Sequence, residues 1–190
     1  MMKNIAIFAS GNGTNAENII RYFSNSESIN VALVLSNNTK AGVHERARRL
    51  GVPSLSFPRD VFAAGEPIVH VLREHGIDFV VLAGFLCYVA RPLLDAYPGK
   101  IINIHPSLLP KFGGKGMYGD HVHQAVLAAG ETESGITIHY INEHYDEGGI
   151  IFQATCPVLP GDTSDSLASR VHALEYTYFP KVIEEVVGKE

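Results

Sequence analysis

Short, almost uninterrupted apolar runs alternate along this chain with longer segments whose apolar residues recur at every third or fourth position. The short runs are typical of parallel β-strands, which are covered on both faces and therefore carry apolar residues throughout. The longer segments are typical of helices that bury one face against a sheet. Strands are predicted in this way at residues 4–9, 29–35, 52–57, 78–85 (ending in a turn) and 101–104.

Several of the helical segments have recognisable ends. Gly51 follows the second helix and Gly76 the third, because glycine readily adopts the backbone conformation that stops a helix. Thr163 is a candidate N-cap for the last helix, with Ser166 standing where a full capping box has Glu. Helices are predicted at residues 16–23, 41–50, 66–75, 91–96, 120–129 and, for the most part, 162–187.

The regular alternation of strands and helices predicts an α/β fold with a doubly wound, mostly parallel sheet. Towards the C-terminus the pattern changes, because residues 135–141 and 150–158 both read as strands and only a short loop separates them. The second of these strands is therefore expected to run antiparallel to its neighbour. No repeat or linker interrupts the sequence, and residues 1–190 are predicted to form one domain.

Composition and charge exclude several classes of partner. The formal net charge is −5 and the basic residues are scattered, whereas a nucleic-acid partner needs a concentrated basic surface. No segment approaches the roughly 18 apolar residues that span a membrane, and the first apolar run is too short for a secretion signal. Cys87 and Cys156 lie far apart and are expected to be unpaired, which favours a reducing compartment. We therefore expect a soluble, cytoplasmic protein.

A glycine-rich turn, Ser-Gly-Asn-Gly-Thr-Asn at residues 10–15, joins the first strand to the first helix. Such a turn presents free N–H groups and the positive end of a helix to an anion. A dinucleotide site would also need an acidic residue about 20 positions further on. The next strand ends instead in Ser-Asn-Asn at 36–38, so no nicotinamide cofactor is predicted. We expect the turn to hold one phosphate; a capped turn without a ligand is the alternative.

The strand at 101–104 leads directly into the most distinctive motif of the sequence. Asn103 and His105 are two residues apart, so their side chains should project from the same face of the strand. Pro106 ends the run, and open α/β sheets bind their ligands at the carboxyl ends of strands. An amide donor beside an imidazole is suited to stabilising charge on a carbonyl oxygen. The local pattern alone also allows a purely structural pair.

The motif is followed by four glycines in the nine residues 111–119. Glycine-rich segments adapt to ligands, and the position directly after the motif favours a substrate loop over a surface excursion.

Nine histidines raise the question of a metal site. His121 and His123 are the only close pair on a predicted helix, and residues two apart do not share a helix face. No metal site is predicted.

Four segments together resemble the folate-dependent formyltransferases: residues 10–15, 82–85 (Leu-Ala-Gly-Phe), 103–110 (Asn-Ile-His-Pro-Ser-Leu-Leu-Pro) and 135–148. They occur in the same order as in that family and span essentially the whole chain. The resemblance implies the family's Rossmann-like fold. Its N-terminal loop is similar to that of the members that act on a ribonucleotide. The implied reaction passes a formyl group from the co-substrate 10-formyltetrahydrofolate to the amine of 5'-phosphoribosylglycinamide, in purine synthesis.

The resemblance also implies catalytic roles for Asn103, His105 and Asp146. The Asn103 amide would donate to the oxygen of a tetrahedral adduct, and a protonated His105 would stabilise its charge. Asp146 would favour the protonated imidazole and relay a proton through water. Read alone, Asp146 would be an ordinary turn carboxylate.

Further residues match the binding positions of the family. Gly13, Thr14 and Asn15 would hold the substrate phosphate. Members often carry a basic residue where this chain has Cys87, and Arg91 is the candidate substitute. His121, His123, His139 and Lys111 fall in matching regions and are ranked second. The folate site would be lined by Leu86, Cys87, Tyr88, Val89 and Asn103.

Two sibling reactions and one non-catalytic function compete with this interpretation. Hydrolysis of the formyl folate is expected to bring an additional N-terminal domain, and formylation of a transfer RNA a basic C-terminal one. A module that only binds a folate or nucleotide would not need Asn103, His105 and Asp146 together. The expected partners are small molecules, and the sequence leaves open whether the chain is a monomer or a homodimer.

Overall fold

The computed structural model describes residues 1–189, and strands and helices alternate in it as the sequence predicts. Glu190, the last residue of the domain predicted at 1–190, lies outside the described residues. The strands are β1 (Lys3–Phe8), β2 (Ile29–Ser36), β3 (Ser54–Ser56), β4 (Phe79–Leu82), β5 (Ile101–His105), β6 (Glu133–Tyr140) and β7 (Ile150–Pro157). The helices are α1 (Thr14–Phe23), α2 (Gly42–Arg49), α3 (Arg59–Ala64), α4 (Glu66–Glu74), α5 (Arg91–Ala96), α6 (Asp120–Ala128) and α7 (Ser164–Gly188).

The seven strands form one sheet in the order β3-β2-β1-β4-β5-β6-β7. Strands β1 to β5 are parallel, β6 is antiparallel to β5, and β7 is antiparallel to β6. The predicted fold class, a doubly wound α/β sheet with an antiparallel strand towards the C-terminus, is confirmed.

Helices cover both faces of the sheet, which explains the apolar strands. In β1, Ile5 and Ile7 pack with α1, α2 and α7, while Ala6 and Phe8 pack with α3, α4 and α5. All four side chains are fully buried. Because alternate residues of a strand point to opposite faces, two separate cores require a run without polar interruption.

The predicted elements differ from the observed ones mainly between residues 52 and 65. The strand there is only Ser54–Ser56, and α3 was missed by the sequence analysis. Pro58 stands immediately before α3, and Gly65, with φ of +83°, separates it from α4. The apolar residues of α3 form one continuous run, from Val61 to Ala64, so no helical period marks it in the sequence.

The strand order places the glycine-rich turn and the Asn103 motif close together, at the carboxyl ends of the central parallel strands. The chain leaves β1 towards β2 on one side and leaves β4 towards β5 on the other. The carboxyl ends of strands diverge at such a reversal and leave a crevice between them. In the described part of the chain, no helix combines the length and apolar character that crossing a membrane requires.

Candidate active site

A cavity of about 890 Å³ opens at the carboxyl ends of β1, β4 and β5. Its walls come from the segments that follow these strands, from the glycine-rich segment before α6, and from α7. Its volume lies in the range of small-molecule sites. The cavity therefore brings the predicted phosphate turn and the predicted catalytic motif together in one site.

Gly13 sits at the N-cap of α1 with φ of +76°. A Cβ atom at this position would collide with the side chain of Val43, so the turn needs glycine for both conformation and space. Thr14 begins the helix, and both residues line the cavity. The first turn of α1, whose backbone N–H groups have no partner within the helix, thus lines the cavity, as an anion site requires.

Asn15 also lines the cavity, but its side chain has a partner that the sequence did not reveal. The amide Nδ2 donates to Glu175 Oε2 of α7 at 2.9 Å. Its Oδ1 atom is buried and has no hydrogen-bond partner in the structure. The side-chain amide is therefore directed to α7, and the backbone of Asn15 remains part of the turn.

Asn103 is oriented by His139, which faces it across β5 and β6. The His139 Nδ1–H donates to the Tyr140 carbonyl at 2.9 Å, because a carbonyl can only accept. Burial lowers the pKa of His139, so its other nitrogen carries a lone pair. Asn103 Nδ2 donates to that Nε2 atom at 3.1 Å. One N–H of the Asn103 amide is thereby fixed, and the second is free to donate into the cavity.

His105 is buried and lies between two acceptors. Its Nε2–H donates to the Phe112 carbonyl at 2.8 Å. Its Nδ1 atom lies 3.6 Å from Asp146 Oδ2, within the range of an ion pair. An imidazolium at this position would have an acceptor for each of its N–H groups.

Asp146 joins these residues to the glycine-rich segment. Its Oδ2 accepts from the Gly114 N–H at 2.9 Å, and its Oδ1 lies 3.7 Å from His139 Nε2. Gly113 packs beside it, and a Cβ atom there would press against the side chains of Leu109 and Asp146. The structure thus brings Asn103, His105 and Asp146, the three predicted catalytic residues, into one cluster on the cavity wall.

The predicted folate residues are divided between two neighbouring spaces. Leu86 lines the main cavity, whereas Cys87, Tyr88 and Val89 line a recess of about 80 Å³. The recess and the cavity share Phe85, Asn103, Tyr145 and Asp146 as walls.

Neither candidate for a basic folate contact supplies a cation to these spaces. Burial raises the pKa of the Cys87 thiol, which keeps it neutral. Arg91 pairs with Asp95 at 2.8 Å and with Glu143 at 3.2 Å, and it lines neither space.

The residues ranked second by sequence fall into two groups. His139 orients Asn103, and His123 is buried in the cavity wall, where burial lowers its pKa. Lys111 pairs with Glu131 at 3.0 Å, and His121 packs on Tyr118; neither lines the cavity.

Five residues of α7 that line the cavity were not predicted from the sequence, and His172 and Glu175 are two of them. His172 Nδ1 lies 2.8 Å from Glu175 Oε2, and this hydrogen bond raises the pKa of His172. One signal was available: Glu175 lies four residues from Val171 and from Phe179, in the apolar stripe of the helix, and is buried like them. A carboxylate in such a stripe indicates a polar partner or a site.

No group of three or more His, Cys, Asp or Glu side chains is arranged to hold a metal ion among residues 1–189.

Known proteins resemble the chain over almost its entire length. The profile of a family described as formyl transferase matches residues 3–183. A chloroplastic phosphoribosylglycinamide formyltransferase of Arabidopsis thaliana is 44% identical and covers 98% of this chain, which spans 64% of that protein. The phosphoribosylglycinamide formyltransferase of Bacillus subtilis (strain 168) is 40% identical, and the match covers 98% of this chain and 96% of that protein. The chain spans 60% of a second plant relative, from Vigna unguiculata.

Solved structures agree with these sequence relatives. The crystal structure of glycinamide ribonucleotide transformylase 1 from Geobacillus kaustophilus superimposes with a TM-score of 0.90 at 36% identity. The superposition covers 98% of this chain and all of the other.

Proposed function

The chain belongs to the formyl transferase family, and we propose that it transfers the formyl group of 10-formyltetrahydrofolate to the amine of 5'-phosphoribosylglycinamide. The observation that carries the proposal is the cluster of Asn103, His105 and Asp146 on the wall of one cavity that the glycine-rich turn before α1 also lines. The names of the relatives from Arabidopsis thaliana and Bacillus subtilis give the same acceptor.

In the proposed reaction the amine attacks the formyl carbon, and negative charge develops on the formyl oxygen. The free N–H of the Asn103 amide donates to this oxygen. His139 holds the amide in place before the reaction, so no reorganisation is needed when the charge appears. A protonated His105 adds electrostatic stabilisation, with Phe112 and Asp146 as acceptors for its two N–H groups.

Asp146 transfers the proton that moves from the amine to the folate nitrogen in this reaction. The attacking amine forms a C–N bond to the formyl carbon and loses a proton, and the bond from that carbon to the folate nitrogen breaks. Asp146 takes the proton through water and returns it to the departing nitrogen. The Gly114 N–H holds the carboxylate in position for both steps.

The substrate phosphate would bind at Gly13, Thr14 and Asn15, where the first turn of α1 offers backbone N–H groups. The folate would enter the recess beside Cys87, Tyr88 and Val89 and extend past Leu86 and Asn103 into the main cavity. The recess by itself is far smaller than an ordinary ligand site, so the shared walls matter for this placement.

We further propose that residues 1–190 act as one domain, in a reducing cytoplasmic compartment and with small molecules as partners. Both cysteines are free, as a reducing compartment would keep them. One relative is named as chloroplastic, so the compartment needs its own test, by fractionation of the source cells.

An absorbance assay tests the proposed activity. Purified protein is mixed with a 10-formyl folate analogue, and deformylation is followed with and without phosphoribosylglycinamide. We expect release of the deformylated folate only when the amine is present. Release that does not depend on the amine would identify a hydrolase, and the absence of release under both conditions would refute the transferase.

A further inference from the structure

The charges that line the main cavity do not match the charge of the proposed substrates. The lining includes four carboxylates: Asp120, Asp146, Asp165 and Glu175. Among the described residues that line it, Lys115 is the only lysine or arginine. A phosphorylated substrate brings further negative charge into this cavity, and a fixed cation offsets such charge most directly.

The two histidines of the cavity to which a positive charge is assigned are already engaged, and His105 faces Asp146 at 3.6 Å. His172 is hydrogen-bonded to Glu175, so a positive charge on its ring is matched locally. Lys115 is exposed, and within residues 1–189 no carboxylate lies at ion-pair distance from its ammonium group. Its charge is therefore available to a ligand.

Lys115 is placed at the cavity wall by a backbone contact of its neighbour. It lies between Gly114, with φ of +94°, and Gly116, with φ of +85°, conformations that favour glycine. The Gly114 N–H is hydrogen-bonded to Asp146 Oδ2. The residue that precedes Lys115 is thus attached to the proposed catalytic carboxylate, and the lysine is held at the wall of the same cavity.

We propose that Lys115 binds the phosphate of the amine substrate, together with the glycine-rich turn at residues 10–15. The two segments line the same cavity. Lys115 lines the cavity that holds the glycine-rich turn and does not line the recess beside Cys87, Tyr88 and Val89, where one part of the folate is placed. An ammonium group is an effective point-charge ligand for phosphate. This assignment rests on the proposed function for the identity of the substrate.

Binding of ribose 5-phosphate tests the assignment without requiring any transfer reaction. Isothermal titration calorimetry compares the wild type with Lys115→Gln, Lys115→Arg and Lys181→Gln. Lys181 is an exposed lysine of α7 that does not line the cavity, so its variant removes the same charge elsewhere. We expect Lys115→Gln to weaken binding about tenfold, as loss of one charge-assisted contact does. Lys115→Arg should restore most of the affinity, and Lys181→Gln should leave it unchanged.

Steady-state kinetics then identifies which substrate Lys115 serves. Lys115→Gln should raise KM for phosphoribosylglycinamide and leave both kcat and KM for the formyl folate near their wild-type values. A rise confined to the KM of the folate, or a fall in kcat alone, would overturn the assignment. Equal ribose 5-phosphate binding by the wild type and Lys115→Gln would also overturn it. A wild type that binds ribose 5-phosphate but transfers no formyl group would refute only the proposed activity.

Discussion

Asp146 combines an unusual backbone conformation with a central position in the site. Its φ is +54°, a region that residues other than glycine seldom occupy and that Asp and Asn tolerate best. The conformation turns the carboxylate towards Gly114 N–H and His105. A substitution that keeps this backbone conformation and removes only the charge therefore tests the role of the carboxylate.

We predict that Asp146→Asn lowers kcat by about two to four orders of magnitude, as loss of a positioned acid–base group does. Asn accepts the same φ and still offers an oxygen to Gly114, so the fold and the loop should persist. Turnover is measured with the absorbance assay, and circular dichroism checks the fold.

Glu147→Gln is the matched control, because it removes one carboxylate from the next, exposed residue. Its turnover should equal that of the wild type. An Asp146→Asn variant as active as Glu147→Gln would contradict the proposed mechanism.

At the residue scale, the sequence predicted which side chains lie together only for residues that are close along the chain. Asn103 and His105 share a strand face because they are two residues apart, and this follows from the sequence. The Phe112 carbonyl that binds His105 and the His139 ring that orients Asn103 did not follow. Both depend on how the chain turns back on itself, which no local period encodes.

Helix α7 shows how an element is defined at its N-terminus. The Ser166 N–H donates to Thr163 Oγ1 at 3.2 Å. In return, the Thr163 N–H donates to the Ser166 hydroxyl oxygen at 2.9 Å. Ser166 thus completes the capping box in place of the usual Glu. Asp162 extends the cap, and its hydrogen bonds with Arg170 hold the pKa of its carboxyl well below the usual range.

Replacing Thr163 by Ala should lower the free energy of unfolding by about 1 kcal/mol, because an N-cap acceptor is lost. Urea denaturation at neutral pH measures the change. Thr177→Ala serves as the control: this exposed threonine lies inside α7, and its hydroxyl only bonds back to the Ala173 carbonyl. That substitution should cost nothing, since Ala is the better helix former. Equal losses in the two variants would argue against the capping role.

The same helix continues through Pro180, which the sequence analysis accepted within a helix at 162–187. Proline removes the N–H that would bond to the Tyr176 carbonyl. Asn18 of α1 donates to that carbonyl at 3.0 Å and satisfies it. The length of α7 therefore depends on a contact between helices that are far apart in the sequence.

For the whole molecule, buried histidines link stability to pH. Burial lowers the pKa of both His123 and His139 below the ordinary value of 6.5. Below pH 6.5 the unfolded chain therefore binds protons that the folded chain does not, and the free energy of unfolding decreases as the pH falls. His172, whose pKa is raised by Glu175, acts in the opposite direction, but it is half-exposed and its effect is screened.

We predict that the wild type is less stable towards urea at about pH 5.5 than at about pH 7.5, and that His123→Gln reduces this difference. Gln cannot take up a proton, so the variant lacks one of the two buried histidines that make the stability depend on pH. His121→Gln is the control, since His121 is exposed on the same helix and should not alter the pH dependence. The prediction fails if His123→Gln retains the full pH dependence of the wild type.

The sequence by itself determined the alternation of strands and helices, the parallel character of the sheet and the pairing of Asn103 with His105 on one strand face. These features depend on the period of apolar residues and on neighbours in the chain, which a sequence displays directly. The glycine-rich turn before α1 belongs to the same class, because a strand, a glycine loop and a helix follow one another without interruption.

Only the tertiary structure decided which distant groups complete the site. Glu175 meets Asn15 across 160 positions of sequence, and Asp146 reaches both Gly114 and His105. The charge imbalance of the cavity, with Lys115 as its single lysine or arginine among the described lining residues, exists only once these segments enclose a common space. Sheet order and the packing of α7 fix these contacts. Both arise from interactions between distant segments, and no local pattern in the sequence indicates which segments pack together.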